Sequence, residues 1–220
     1  MSLRVIGDVH GQIDCALKRG ASSYLELIAK CEYSVQLGDM GNAETYAELV
    51  AHVDVTNHRF FGGNHDQYDS LPPHSLGDYG MREIGSVPFF FVRGAKSIDK
   101  KDLLEHGKRL GRKLWFEEEE LSESIHDKIA TAFSIAKPDV MLTHECPESI
   151  SPFILEHVQS HSYVFQRSRH LTSRTGLFLE SLLQIHRPKI WLFGHYHHNW
   201  RYVDDDVAFQ CIGELSYLDL

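Results

Sequence analysis

A chain of 220 residues, 42% hydrophobic and 24% charged, has the composition of an ordinary globular protein and the length to bury one sizeable core. No apolar run approaches the roughly 18 residues of a membrane span, and the opening MSLRVIGDVHG lacks signal-peptide features, so a cytoplasmic protein is expected. The formal charge of −9 argues against long nucleic acid on a basic face, but not against a small phosphorylated ligand held by metal ions.

In chain order, short β-rich apolar runs alternate with helical patterns, which predicts an α/β fold. Leu3 to Ile6 reads as a first strand ending at Gly7-Asp8, and the 3.6-residue apolar repeat predicts a helix over 12–30. Tyr33 to Leu37 is a second strand, ending at Gly38-Asp39. A helix over Ala43 to Ala51 leads to a third strand, Arg59 to Phe61, ending at Gly62-Gly63-Asn64. Residues 66–87, with Pro72, Pro73, Gly77, Gly80 and Gly85, read as loop. Pro88 to Val92 is an apolar strand, and Glu117 to Glu120 reads as a solvated helix start. Helices are predicted over 121–136 and 176–186. Between them Asp139 to Leu142 is a strand ending at Thr143-His144, and residues 144–176 read as a partly helical cap. Lys189 to Phe193 ends at Gly194-His195, and the acidic run at 204–206 reads as a hairpin turn. No repeat, low-complexity tract or linker divides residues 1–220, which are expected to form a single domain. Cys15, Cys31, Cys146 and Cys211 show no paired spacing and read as free thiols.

The chain has 15 histidines, and their positions matter more than their number. Gly7-Asp8-Val9-His10-Gly11, Gly38-Asp39, Gly63-Asn64-His65-Asp66, Thr143-His144 and Gly194-His195-Tyr196-His197 each begin where a strand stops. Ligands of α/β sheets gather at the carboxyl ends of strands, so these segments are expected to meet in one crevice. Within Asp8-x-His10 and His195-x-His197, residues two apart point the same way on extended backbone. Carboxylate, imidazole and amide donors suit manganese, iron, zinc or magnesium. The lack of clustered thiols disfavours structural zinc or iron–sulfur.

This order of motifs resembles that of the calcineurin-like metallophosphoesterases: D-x-H, GD, GNH[DE], a lone H and GH-x-H, all present over residues 8–197. The resemblance implies a four-layered α/β sandwich with two central mixed β-sheets. It implies two divalent cations, manganese favoured, with Asp8, His10 and His197 on the first, Asn64, His144 and His195 on the second, and Asp39 bridging. It implies hydrolysis of a small or exposed phosphoester, monoester or diester, by hydroxide generated between the two ions, which attacks phosphorus in line. Such cations against Asp8 and Asp39 would leave a local charge of about +2. By the same likeness His65 is the acid beside the phosphate, and Asp66 is a candidate to hold its ring. The alternatives are a nuclease of the same superfamily and a scaffold that keeps the fold without catalysis.

The protein serine/threonine phosphatases of the superfamily carry two phosphate-clamping arginines that are missing here. Met40-Gly41-Asn42 follows Asp39, and Phe61-Gly62 precedes the third motif. Arg93, Arg167, Arg169 and Arg174 are candidates to replace them, Tyr196 reads as a pocket wall, and His198 as second to the ligands or on the surface.

Overall fold

A computed structural model describes residues 2–18, 20–159 and 172–220. In order, β1 (Leu3–Ile6), α1 (Tyr24–Ile28), β2 (Tyr33–Gln36), α2 (Ala43–His52) and β3 (His58–Phe60) form the first part. Next come β4 (Tyr79–Ile84), β5 (Val87–Val92), α3 (Lys100–Leu110), α4 (His126–Ala136), β6 (Val140–Thr143) and α5 (Ser151–Gln159). The chain ends with α6 (Arg174–Ile185), β7 (Ile190–Phe193), β8 (Trp200–Asp204), β9 (Val207–Cys211) and β10 (Tyr217–Asp219).

Two mixed sheets result, of four strands in the order β10-β1-β2-β3 and of six in the order β4-β5-β6-β7-β9-β8. The alternation of side chains along each strand divides the core. In β5, Phe89 and Phe91 face the space between the sheets with Leu3, Val5, Val35, Leu37, Leu142 and Leu192. Phe90 and Val92 face the other way, onto Ile129 and Phe133 of α4, Ile154 of α5 and Leu179 of α6. On the far side of the smaller sheet, Ile6 and Phe60 pack on Tyr24 and Leu27 of α1 and Tyr46 and Leu49 of α2. Helices, sheet, sheet, helices: this is the four-layered sandwich. Strands apolar on both faces are buried on both faces, and each fully buried Leu or Phe adds roughly 1.5–3 kcal/mol.

Several expectations need correcting. The helix read over 12–30 is confined to Tyr24–Ile28. Ser23 and Glu26 form a capping box that starts it there, and Gln12 holds the preceding loop by accepting from Leu17 N–H. Residues 66–87 are not all loop: β4 pairs antiparallel with β5 through Gly85–Ser86, both at positive φ as a tight hairpin turn requires. Helix α3 was not foreseen: its large apolar residues are only Leu103, Leu104 and Leu110, and Gly107 alone of it is buried. The run from Glu117 is a short 3-10 turn with Glu119 buried, not a solvated helix start. The acidic run does turn a hairpin, with Asp205 and Asp206 at positive φ between β8 and β9. Helix α5, within the proposed cap, sends Ile154, Leu155 and Val158 into the core. Residues 160–171 of that cap, with Arg167 and Arg169, lie outside the described residues. Cys15, Cys31, Cys146 and Cys211 are free. Among the described residues no helix is long and apolar enough to cross a membrane.

Candidate metal centre

Strands β1, β2 and β3 run parallel in one sheet, and β5, β6, β7 and β9 in the other. Their carboxyl ends meet across the sandwich, because His144 after β6 places Nε2 3.3 Å from Asp39 Oδ1 after β2. The turns that follow are tight: His10, Asp39, His195 and His197 all have φ between 49° and 69°. That left-handed backbone costs roughly 1–3 kcal/mol per residue and persists only where the surroundings enforce it.

One such enforcer is Asp66. Its Oδ2 accepts from the backbone N–H of Asp39 and of Gly63, both at 2.8 Å, and its Oδ1 from Gly41 N–H and Tyr46 O–H. The carboxylate thus pins two of the motif loops together instead of holding the His65 ring, the role for which it was a candidate. Burial and the nearby Asp39 push its carboxyl up to about 6, against donors that favour the anion.

Asp8, His10, Asp39 and His197 place ligand atoms within 4.8 Å of one another. The Nε2 atoms of His10 and His197 lie 2.9 Å apart, and His197 Nε2 lies 3.1 Å from Asp8 Oδ2. Beside them Asn64 Oδ1 stands 3.0 Å from His144 Nε2 and 2.9 Å from His195 Nδ1. The structure therefore brings together all the residues expected as ligands, in two adjoining groups with Asp39 between. Asp8, Asp39 and His144 are fully buried, whereas His10, His65 and His197 are 24%, 28% and 39% exposed, so the carboxylates form the floor and the imidazoles the mouth.

The donor set fits divalent cations. Asp39 Oδ2 is buried and accepts no hydrogen bond, and the equally buried Asp8 Oδ2 faces histidine rings, His197 at 3.1 Å and His10 at 3.8 Å; buried carboxylates are expensive unless a cation faces them. Burial raises both carboxyls, but nearby imidazoles (His197 and His144 for Asp8, His144 and His65 for Asp39) outweigh it and hold both below the usual range. His195 is pushed down to about 3 by burial and then by His144, so its ring stays neutral and can ligate. His144 Nδ1 lies 2.8 Å from the Leu37 carbonyl; donating to it fixes the tautomer and turns Nε2 inward.

His144 also carries a pH signature. Burial lowers its pKa, but Asp39 outweighs burial and holds it at about 10. In metal-free protein at neutral pH Nε2 is therefore protonated, and that proton must leave before the nitrogen can ligate. Metal affinity is expected to rise with pH up to about 10, with proton release visible as a buffer-dependent heat in calorimetry. Equal heats in buffers of different ionisation enthalpy would contradict this.

The candidate ligands stand on glycine. A Cβ at Gly63 would collide with Asp39 Oδ1, and a Cβ at Gly194 with Asp8 Oδ1. His65 lies at the mouth, its backbone N–H donating to Asp39 Oδ1 at 2.8 Å and its Nε2 3.8 Å from Asp99 Oδ1.

Other expectations fare differently. Arg93 turns away, bound to Asp78 and the Glu118 carbonyl and lying over the Tyr68 ring. Arg174 donates to the Glu120 carbonyl. Tyr196 is not a pocket wall: it is fully buried in the core, its O–H donating to Glu145 Oε1. His198 is half-buried, edge-on to the His157 ring. Asp99 and Ser97 were missed, although they lie in the loop that follows the β5 strand end. Glu145, directly after His144 and with Oε2 3.9 Å from His195 Nε2, was also missed.

Comparison with known proteins agrees with this geometry. A family model described as calcineurin-like phosphoesterase matches residues 1–199. No curated protein gives a significant match. Among solved structures, GAP50, the anchor in the inner membrane complex of Plasmodium, is 15% identical with a TM-score of 0.52, covering 98% of this chain and 72% of that one. Phosphopantetheinyl hydrolase of Mycobacterium tuberculosis is 14% identical with a TM-score of 0.49, covering 97% and 90%. At 15% identity the likeness to GAP50 concerns the fold alone.

Proposed function

Because the chain belongs to the calcineurin-like phosphoesterase family, we propose that it hydrolyses a small or exposed phosphoester with the help of two divalent cations, manganese favoured. The observation that carries this reading is the pair of buried carboxylate oxygens, Asp8 Oδ2 and Asp39 Oδ2, that converge with the rings of His10 and His197 at 3.1–3.9 Å. Asp8, His10 and His197 would hold one cation, Asn64, His144 and His195 the other, and Asp39 both. Cations there supply Lewis acidity toward phosphoryl oxygens and make water a nucleophile near neutral pH.

The chain's own residues do the rest. The buried carboxylates and His144 anchor the floor, leaving the partly exposed rings of His10, His65 and His197 to border the substrate. His65, with Asp99 beside its Nε2, would pass a proton to the departing oxygen. Asp39 Oδ1 accepts from that residue's backbone N–H, which ties the acid to the Asp39 loop.

The test compares a nitrophenyl phosphate monoester with the bis-nitrophenyl diester, using metal-stripped protein resupplied with Mn²⁺, Fe²⁺, Zn²⁺ or Mg²⁺. Metal-dependent turnover of either ester is expected, and the ratio of the two assigns the substrate class. A folded protein that hydrolyses neither ester with any of these ions would sink the reading.

A further inference from the structure

An asparagine amide has two ends, and the carbonyl end is the one that binds a hard cation. What turns the right end of Asn64 inward lies behind it. Asn64 Nδ2 is 3.3 Å from Ser97 Oγ, and Ser97 Oγ is 2.5 Å from Glu119 Oε2. The backbone N–H of Ser97 donates to the other carboxylate oxygen at 3.1 Å. A carboxylate only accepts, so the Ser97 hydroxyl donates to Glu119 and its lone pair faces Asn64. That lone pair accepts from Nδ2–H, which leaves Oδ1 toward His144 and His195.

Asn64, Ser97 and Glu119 are each no more than 3% exposed, so the hydrogen bonds are shielded from competing water. The relay is itself braced: Ala95 N–H donates to the Glu119 carbonyl, and a Cβ at Gly94 would strike that same oxygen. We infer that Ser97 and Glu119 are positioning residues that fix the amide orientation of Asn64 and so set the affinity of the second cation, an inference that rests on the two-cation reading above.

The readout is cation affinity, not turnover. Metal-stripped full-length protein is titrated with Mn²⁺, followed by calorimetry and by the electron paramagnetic resonance of free Mn²⁺. The unaltered protein is expected to take two ions. Ser97→Ala should weaken one of them about 10–100-fold, the range for residues behind a metal ligand, and leave the other unchanged. Glu119→Gln is isosteric, yet should weaken the same ion at least as much. Its amide N–H₂ must face one of the two Ser97 donors, and turning the hydroxyl toward Asn64 favours the wrong end of that amide. A merely space-filling Glu119 would make this substitution mild.

Thermal melts of the stripped proteins check folding. Should Glu119→Gln unfold, Ser97→Ala, which removes a single oxygen, carries the test. Both ions bound as tightly as in the unaltered protein, or both weakened equally, overturns the inference. An unaltered protein that takes fewer than two Mn²⁺ ions overturns the two-cation reading instead.

Discussion

Asp39→Asn is expected to empty the centre of its cations and to lower phosphoester turnover by at least about 10³-fold, several kcal/mol of lost transition-state stabilisation. Asp39 belongs to both ligand groups: Oδ1 faces His144 at 3.3 Å, while Oδ2 lies in the cluster with Asp8, His10 and His197. Asparagine keeps the size, and its carbonyl can still accept from His65 N–H. What disappears is the charge that lets two cations lie side by side. The check is metal content after dialysis together with turnover under added Mn²⁺. A variant retaining both ions and a tenth of the activity would refute the shared role of Asp39.

His65→Ala should behave in the opposite way toward metal. The His65 ring is among none of the converging ligand atoms, so both cations should remain bound. Turnover should fall about 10²–10⁴-fold for an alkyl phosphoester, whose departing oxygen needs a proton. The loss should be smaller for a nitrophenyl ester, whose leaving group departs as a stable anion. Rates across leaving groups of graded acidity would test this. Equal losses along the whole series would mean that the ring does not deliver the proton.

The motif-bearing strands were legible because their chemistry is local. A strand buried on both faces reads as a mainly apolar run, and a candidate ligand follows within a few residues, as Leu3 to Ile6, interrupted by Arg4, precedes Asp8 and Ile190 to Phe193 precedes His195. What stayed hidden depends on partners distant in the chain. Glu119 reads as one of several solvated acids until Ser97, on another loop, is seen to donate to it. Asp66, next to His65 in sequence, is only a candidate for that ring's support, and its oxygens instead accept from Asp39, Gly41 and Tyr46. Side chains of adjacent residues seldom face one another, which favoured the distant partners. Strand β4 was obscured by Gly80 and Gly85, and α3 by its many charged residues, with only Leu103, Leu104 and Leu110 as large apolar side chains. The helix start at Ser23 was readable, since Ser23-x-x-Glu26 is a capping-box pattern, but the apolar repeat upstream overrode it.

The glycine platform under Asp8 and Asp39 bears on how a mutational scan of this protein would look. Any side chain at Gly63 or Gly194 must displace a carboxylate oxygen that the centre depends on. A saturation library would therefore score both positions as intolerant as the ligands themselves, although neither has a side chain to offer a substrate. Sensitivity maps alone would draw the reactive surface too large. The true boundary emerges only when dead variants are sorted by whether they still retain metal: those altered at His65 should retain it, and those altered at the platform should not.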